Sequence, residues 1–351
     1  MTKADERYMR RCIELALLGS GYTAPNPLVG AVLVHENRII GEGYHEKFGE
    51  AHAEVNCINS VQPADRSLIS RSTLFVSLEP CAHYGKTPPC TDLIIRENIP
   101  HIVIGCRDPF EKVNGKGIEK LVQAGRKVNT GILEKECGEL NKRFFTFHRR
   151  HRPYIILKWA QTADGFIGSS KGSERLRITN NTTNRLVHRW RSEEAAILVG
   201  TNTALQDDPS LNTRLWTGRS PVRLVLDRSL RLPVSLKLFN GEQPTVIFNE
   251  RESRQDGQLR YYLLDGQTDL VTQIVKGCYQ LQLQSLIVEG GAVLLNSFIA
   301  SDIWDEARLI TNNKMNATGG TIAPSLINAR NYATENLGDD TIQYYFNEQL
   351  K

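Results

Sequence analysis

Two stretches decide how this chain is read: Ala51-His52-Ala53-Glu54, and Glu79-Pro80-Cys81-Ala82-His83-Tyr84-Gly85-Lys86-Thr87-Pro88-Pro89-Cys90. His52, Cys81 and Cys90 supply one imidazole and two thiolates, a ligand set for tetrahedral zinc (Zn2+). Three protein ligands leave the fourth position to water, which is the catalytic pattern, whereas structural zinc sites are closed by four. Glu54, two residues past the histidine, is the natural proton carrier for that water. The segment between the cysteines is polar and turn-rich. It brings His83 and Lys86 to the pocket mouth, within reach of an anionic substrate. Taken singly, each of these residues reads as packing, since buried cysteine behaves as a small hydrophobe. Their conjunction, in this order, points to a site.

At 351 residues the chain exceeds one typical core, so two domains are expected. With 40% hydrophobic and 23% charged residues its composition is that of a globular protein, and no apolar run reaches membrane-spanning length. Residues 1–7 are polar and lead into no apolar signal core, so export is not expected. The seven cysteines are odd in number, and Cys12, Cys57, Cys106, Cys137 and Cys278 are scattered. That suits a reducing cytoplasm better than a disulfide framework. A net charge of +4 is too small to argue for nucleic acid. The run Arg149-Arg150-His151-Arg152 reads as a solvated linker.

Along the chain, residues 5–18 read as an amphipathic helix, with Tyr8, Cys12, Leu15 and Leu18 at helical spacing. Residues 31–34 and 38–43 read as strands joined by a turn at His35-Glu36-Asn37. A helix over 50–59 carries His52 and Glu54, a buried strand over 73–78 leads into Glu79-Pro80-Cys81, and Cys90 opens a helix over 91–98. Helix starts favour negative charge, which suits Cys81 and Cys90 as thiolates. A strand over 101–106, a helix over 118–124, a short strand over 127–131 and a helix over 134–147 complete an alternating α/β pattern with its site at strand ends. Residues 148–153 are basic and end in proline, which places the boundary between domains of 1–147 and 153–351. In the second half, strands are expected over 154–160, 195–200, 222–227, 245–248 and 285–289, with helices over 181–192 and from about Ala292. No G-x-G-x-x-G opens a βα unit, so the ordinary dinucleotide fingerprint is absent. Gly290-Gly291 at a strand-to-helix turn can still offer bare N–H groups to a phosphate, although Gly-Gly there is more often only a tight turn.

H-x-E followed by Pro-Cys and a further cysteine is the constellation of zinc deaminases, with the glutamate as acid/base. The string from Glu79 to Cys90 closely resembles the deaminase half of the bifunctional riboflavin-biosynthesis deaminase/reductase family. Asn26-Pro27-Leu28-Val29-Gly30 and Gly43-Tyr44-His45 match that family in the same order. The resemblance implies a cytidine-deaminase-like α/β/α sandwich. In it Asn26, His45, His83, Lys86 and the Asp108 loop would hold a phosphoribosyl pyrimidine. Phe110 stands where the family commonly has asparagine.

The second half resembles the family's reductase domain, whose fold is similar to dihydrofolate reductase and which uses NADPH. Lys158, Asp164-Gly165, Thr203, Asp207-Asp208-Pro209, Leu211, Arg214 and Val288-Glu289-Gly290-Gly291 align with the family pattern. The resemblance implies a cofactor side of Ala160, Thr203, Asp207, Gly290 and Gly291. It implies a substrate side of Lys158, Arg191, Leu211, Arg214 and Glu289. Arginines suit the substrate's phosphate. Three positions depart from the pattern. Arg175 replaces a substrate-side serine, Arg177 a nicotinamide-side tryptophan, and Arg228 a serine or threonine. Arg175 is expected toward substrate and Arg177 toward cofactor.

The function implied is zinc-dependent deamination followed by NADPH-dependent reduction, in a cytoplasmic homo-oligomer acting on a small molecule, with no nucleic-acid or membrane partner. Two rivals are a nucleobase or tRNA deaminase with an unrelated or inactive C-terminal domain, and a non-catalytic zinc-stabilised binding protein. No basic, aromatic groove supports the first. Glu54 counts against the second, because a structural site has no use for a carboxylate beside an open position.

Overall fold

The computed structural model describes residues 3–85, 88–111, 113–169 and 176–350. The chain divides into two compact units, Met1–His151 and Arg152–Lys351.

The first unit opens with α1 (Lys3–Leu17), whose Tyr8, Met9, Cys12, Leu15 and Ala16 are buried along one stripe. β1 (Gly30–His35) and β2 (Arg38–Tyr44) form a hairpin. Its two turn residues, Glu36 and Asn37, both take positive φ, the turn that matches strand twist. α2 (Ala53–Asn59) follows, then a 3-10 helix over Pro63–Arg71, β3 (Thr73–Leu78), α3 (Cys90–Arg96), β4 (His101–Cys106), α4 (Lys116–Gln123) and β5 (Lys127–Thr130). The sheet order is β2-β1-β3-β4-β5, with β3, β4 and β5 parallel.

Period-2 alternation splits the apolar strand residues between two faces. Ala31, Leu33, Leu74 and Val76 pack with Ala53, Cys57, Ile94 and Leu121 of α2, α3 and α4. Val32, Phe75 and Val103 pack with Met9 and Cys12 of α1 and with Cys137, Phe144 and Phe145. The result is an α/β/α sandwich. Gly43 lets α2 lie directly on β2, since a Cβ there would stand 2.2 Å from the Cys57 nitrogen.

The helix expected over 134–147 is two helices, α5 (Glu134–Leu140) and α6 (Lys142–Arg150). They break at Asn141, whose side chain accepts from the Leu28 N–H and donates to the Leu28 carbonyl, both at 2.8 Å. α6 also runs on into the basic segment, because Phe144, Phe145 and Phe147 bury its apolar face. Arg152 is not solvated either. It is buried in the second unit, paired through both guanidinium nitrogens with Asp305.

The second unit contains β6 (Tyr154–Thr162), β7 (Phe166–Gly168), α7 (Asn181–Glu193), β8 (Ala196–Gly200), α8 (Thr201–Asp207), β9 (Val222–Leu226), β10 (Thr245–Asn249), β11 (Arg254–Asp256), β12 (Leu259–Leu263), α9 (Leu270–Gln280), β13 (Ser285–Val288), α10 (Ala292–Ala300), β14 (Glu306–Asn312), β15 (Thr321–Ile322), β16 (Ala329–Leu337) and β17 (Asp340–Asn347). Ten strands form one sheet in the order β11-β12-β10-β9-β8-β13-β6-β14-β17-β16, parallel from β12 to β14. β7 and β15 make a separate two-stranded ribbon. One sheet face, with Ile155, Leu157 and Leu198, packs on α9 and α10 through Ile274, Leu295 and Phe298. The other, with Ile156, Ile197 and Ile287, packs on Val187 and Trp190 of α7. Ligand sites in such sheets form beyond the carboxyl ends of the parallel strands.

Candidate active sites

The first site assembles at one end of the five-stranded sheet. β1 is antiparallel to both neighbours, so Asn26, ahead of it, lies at the end where His45 follows β2 and Cys81 follows β3. β4, parallel to β3, adds Asp108 beyond its own carboxyl end. His52 is not inside a helix, as the sequence pattern suggested. It is the extended N-cap of α2, its carbonyl accepting from the Asn56 N–H at 3.1 Å. Ahead of the first turn the imidazole is free to meet both sulfurs. Nδ1 lies 3.6 Å from Cys81 Sγ and 3.4 Å from Cys90 Sγ.

The three ligand atoms all lie within 4.8 Å of one another. The Cys90 side chain, with His52 and the Cys90 N–H at 3.3 Å, draws the Cys81 thiol down to about 4. Cys90 shifts the other way, pushed up by Cys81 and by burial. Of the expected pair of thiolates, the protein's own groups therefore favour only Cys81, because two adjacent sulfur anions repel. A dication between them removes that conflict, so the donor set fits zinc.

Glu54 is 3% exposed, and burial raises its pKa. Its carboxyl hydrogen-bonds the Cys90 side chain. His45, also buried, donates from Nδ1 to the Ala51 carbonyl at 3.0 Å, so Nε2 accepts from Asn26 Nδ2 at 3.1 Å. Burial lowers its pKa, and its ring stands edge-on to His52 at 5.3 Å. Burial pushes the Asp108 carboxyl up to about 7, and Oδ1 accepts the Phe110 N–H at 2.7 Å. His83 sits edge-on to Phe110 with centroids 6.1 Å apart. Lys86 lies outside the described residues.

Sequence reasoning gave Glu79 no role of its own. It is buried, and its carboxylate accepts four main-chain N–H groups: Asp108 at 3.2 Å, Gly115 at 3.0 Å, Gly117 at 3.0 Å and Ile118 at 3.2 Å. Two residues before Cys81, it ties the Asp108 loop and the start of α4 to the metal-ligand turn. The available signal was a carboxylate directly after a largely buried strand.

In the second unit, Glu289 follows β13 and accepts both Nε and Nη2 of Arg191, at 2.9 and 2.7 Å. Lys158 Nζ, from β6, lies 3.7 Å from the same carboxylate. All three side chains are at most 13% exposed. Burial opposes ionisation of Glu289, but Arg191 and Lys158 prevail and hold it at about 2. Burial lowers the pKa of Lys158. Two cations facing one carboxylate leave a positive excess. Ala160 lies two residues along β6 and shares the face of Lys158.

Gly290 and Gly291 pack on Thr203. A Cβ on Gly290 would stand 2.9 Å from Val199 Cγ1 and 3.2 Å from Thr203 Cγ2, and Gly291, at φ 71°, faces Thr203 Oγ1. Asp207, half-buried, ends α8. Leu211 is buried at φ 51°, and Arg214 is exposed with its Nη1 donating to Asn212. Arg177 is exposed in the segment ahead of α7, and Arg175 lies outside the described residues.

Residues 2–106 match the cytidine and deoxycytidylate deaminase zinc-binding region, and residues 153–339 match the RibD C-terminal domain. The riboflavin biosynthesis protein RibD of Aquifex aeolicus is 39% identical, covering 97% of this chain and 98% of its own length. The chain belongs to the RibD family. Its two units are the deaminase and reductase domains of a bifunctional protein of riboflavin biosynthesis. RibD of Bacillus amyloliquefaciens is likewise 39% identical, over 93% of this chain and 89% of that one.

Two solved structures agree. A diaminohydroxyphosphoribosylaminopyrimidine deaminase/5-amino-6-(5-phosphoribosylamino)uracil reductase from Thermotoga maritima is 34% identical with a TM-score of 0.88, covering 98% of this chain and 99% of that one. RibD of Acinetobacter baumannii is 30% identical, also with a TM-score of 0.88, with the same coverage. The second unit is therefore a RibD reductase domain and not an unrelated appendage.

Proposed function

We propose that residues 1–147 hydrolytically deaminate 2,5-diamino-6-(5-phosphoribosylamino)pyrimidin-4-one. Residues 153–351 then reduce the ribosyl group of 5-amino-6-(5-phosphoribosylamino)uracil to ribityl with NADPH. The observation that carries the reading is the His52–Cys81–Cys90 cluster with Glu54 buried beside it, a three-ligand set of the kind that leaves the fourth zinc position to water.

Zinc held by those three residues would make water acidic enough to serve as a nucleophile near neutral pH. Glu54 takes up the water's proton and passes it to the departing ammonia. Its raised pKa suits that exchange, because a base works best when its pKa lies near the working pH. Asn26 and His45, locked to each other, orient the pyrimidine ring. His83, Lys86 and Asp108 are assigned to the ribose phosphate.

In the second unit NADPH would supply hydride to C1′ of the opened ribosylamine. Ala160, Arg177, Thr203, Asp207, Gly290 and Gly291 are assigned to the cofactor. Arg175, Arg191, Leu211 and Arg214 are assigned to the substrate. Lys158, Asp207 and Glu289 are the polar groups for the reacting carbon. Burial makes Lys158 a readier proton donor than an exposed lysine.

The proposal extends to a cytoplasmic homo-oligomer. The seven cysteines are free thiols, which suits a reducing compartment. Among the described residues no helix is long and apolar enough to cross a membrane.

A coupled assay with the diaminopyrimidine phosphate tests the whole reading. Ammonia is expected with or without NADPH, and the ribityl product only with it. Absence of ammonia from zinc-replete protein would overturn the first assignment. Absence of the ribityl product from supplied deaminated intermediate would overturn the second.

A further inference from the structure

α7 carries His188 and Arg191 one turn apart, and both reach the segment that holds Leu211 and Arg214. His188 is fully buried. Its Nδ1 accepts the main-chain N–H of Arg214 at 3.2 Å. Arg191 Nη1 donates to the Asn212 carbonyl at 3.5 Å while its other nitrogens hold Glu289. A ring accepting at Nδ1 carries its proton on Nε2. Nε2 is buried and meets no hydrogen-bond partner among the described residues. A buried donor left open in this way is costly unless something fills it. The ring thus faces the main chain of the 212–214 segment, with Nδ1 on the Arg214 N–H and the Asn212 backbone beside it.

We infer that His188 is a positioning residue of the reductase: it fixes the main chain of Arg214 so that the guanidinium meets the phosphate of the phosphoribosyl substrate. The inference rests on the reading of Arg214 as a substrate contact. His188 is suited to the task because its acceptor nitrogen sits at a fixed distance on a rigid helix. The exposed Arg214 side chain supplies the charge, and His188 itself need not touch the phosphate.

The test uses the zinc-replete full chain, with deaminated intermediate supplied directly. The variants are His188→Leu, His188→Asn, His188→Gln and Arg214→Ala. Asparagine places an acceptor oxygen where Nδ1 lies, whereas glutamine reaches toward the Nε2 position. We expect His188→Leu and His188→Gln to raise the KM for the phosphoribosyl substrate about tenfold, roughly the effect of one hydrogen bond. kcat and NADPH affinity, read by fluorescence binding, stay near wild type. His188→Asn restores KM.

An unchanged KM in His188→Leu overturns the inference. So does rescue by glutamine and not by asparagine, which would assign the role to Nε2. Loss of NADPH binding in all three His188 variants would make His188 a packing residue. If Arg214→Ala leaves KM unchanged, the reading of Arg214 as a substrate contact fails, and the inference falls with it. A raised KM in Arg214→Ala with a normal His188→Leu confines the failure to His188.

Discussion

Glu79 and Asp108 are joined by a hydrogen bond of 3.2 Å from the Asp108 N–H to the Glu79 carboxylate, one of four main-chain N–H groups on that carboxylate. A glutamine there offers one oxygen and an NH2 group, so some of those N–H groups would face a donor. A buried unsatisfied group costs about 1–3 kcal/mol. Glu79→Gln is therefore expected to lower deaminase kcat/KM by about tenfold or more, with zinc content and NADPH-dependent reduction unchanged. Deamination at the wild-type rate would show that the clamp does not position the loop.

Much of the fold was legible because the strongest signals are local. The apolar runs of β1, β3 and β4 read directly as strands, and the Glu36-Asn37 turn marked the first hairpin. The cluster of His52, Cys81 and Cys90 was legible because one imidazole and two thiols are chemically distinctive at their spacing. What escaped depends on distant partners. Asn141 breaks a helix through a bond to Leu28, 113 positions away. Glu79 and His188 owe their roles to N–H groups 29 and 26 positions along the chain. β16 reads as no strand at all, since Ala329–Leu337 is largely exposed and lacks apolar alternation. It is a strand because β17 pairs with it.

The second unit should lose stability as pH falls, for two reasons of the same sign. Burial, with Arg191 and Arg214 nearby, holds His188 down to about 4 against an ordinary 6.5. The unfolded chain therefore takes up that proton first, and stability drops between about pH 6.5 and 4. Glu289, at about 2 against an ordinary 4.5, adds a loss from about pH 4.5 downward. Thermal unfolding followed from pH 7 to 4 should show a falling midpoint for the second unit, and His188→Asn should flatten the upper part of that fall. A midpoint that stays level from pH 6.5 to 4 would contradict the burial of a neutral His188.

Arg177 is assigned to the nicotinamide-side position in the proposed reading, and the residue is exposed. A guanidinium can bind a phosphate or lie on a ring, whereas an apolar replacement can only pack. Arg177→Ala and Arg177→Trp should both raise the reductase KM for NADPH or for the phosphorylated substrate about three- to tenfold, the range of one ordinary hydrogen bond. Deamination should be untouched. Steady-state kinetics decide it: unchanged kcat and unchanged KM values in both variants make Arg177 a solvated loop residue, and better reduction by the tryptophan variant makes its role packing.

The two chemistries should separate by unit. Cys81→Ser removes one of the three ligands and should lose zinc and ammonia release together. NADPH-dependent reduction of supplied intermediate should persist. Loss of reduction in a folded Cys81→Ser chain would mean that the two activities share one interdependent site.

The most direct measurement is ammonia release and zinc content, taken side by side on Glu54→Ala. In the proposed mechanism Glu54 moves protons and ligates nothing, so zinc per chain should match wild type. Ammonia release should fall by about 10²–10⁴-fold, the range for a lost general acid–base. Ammonia release near the wild-type rate, or loss of zinc from a chain that remains folded, would contradict that role.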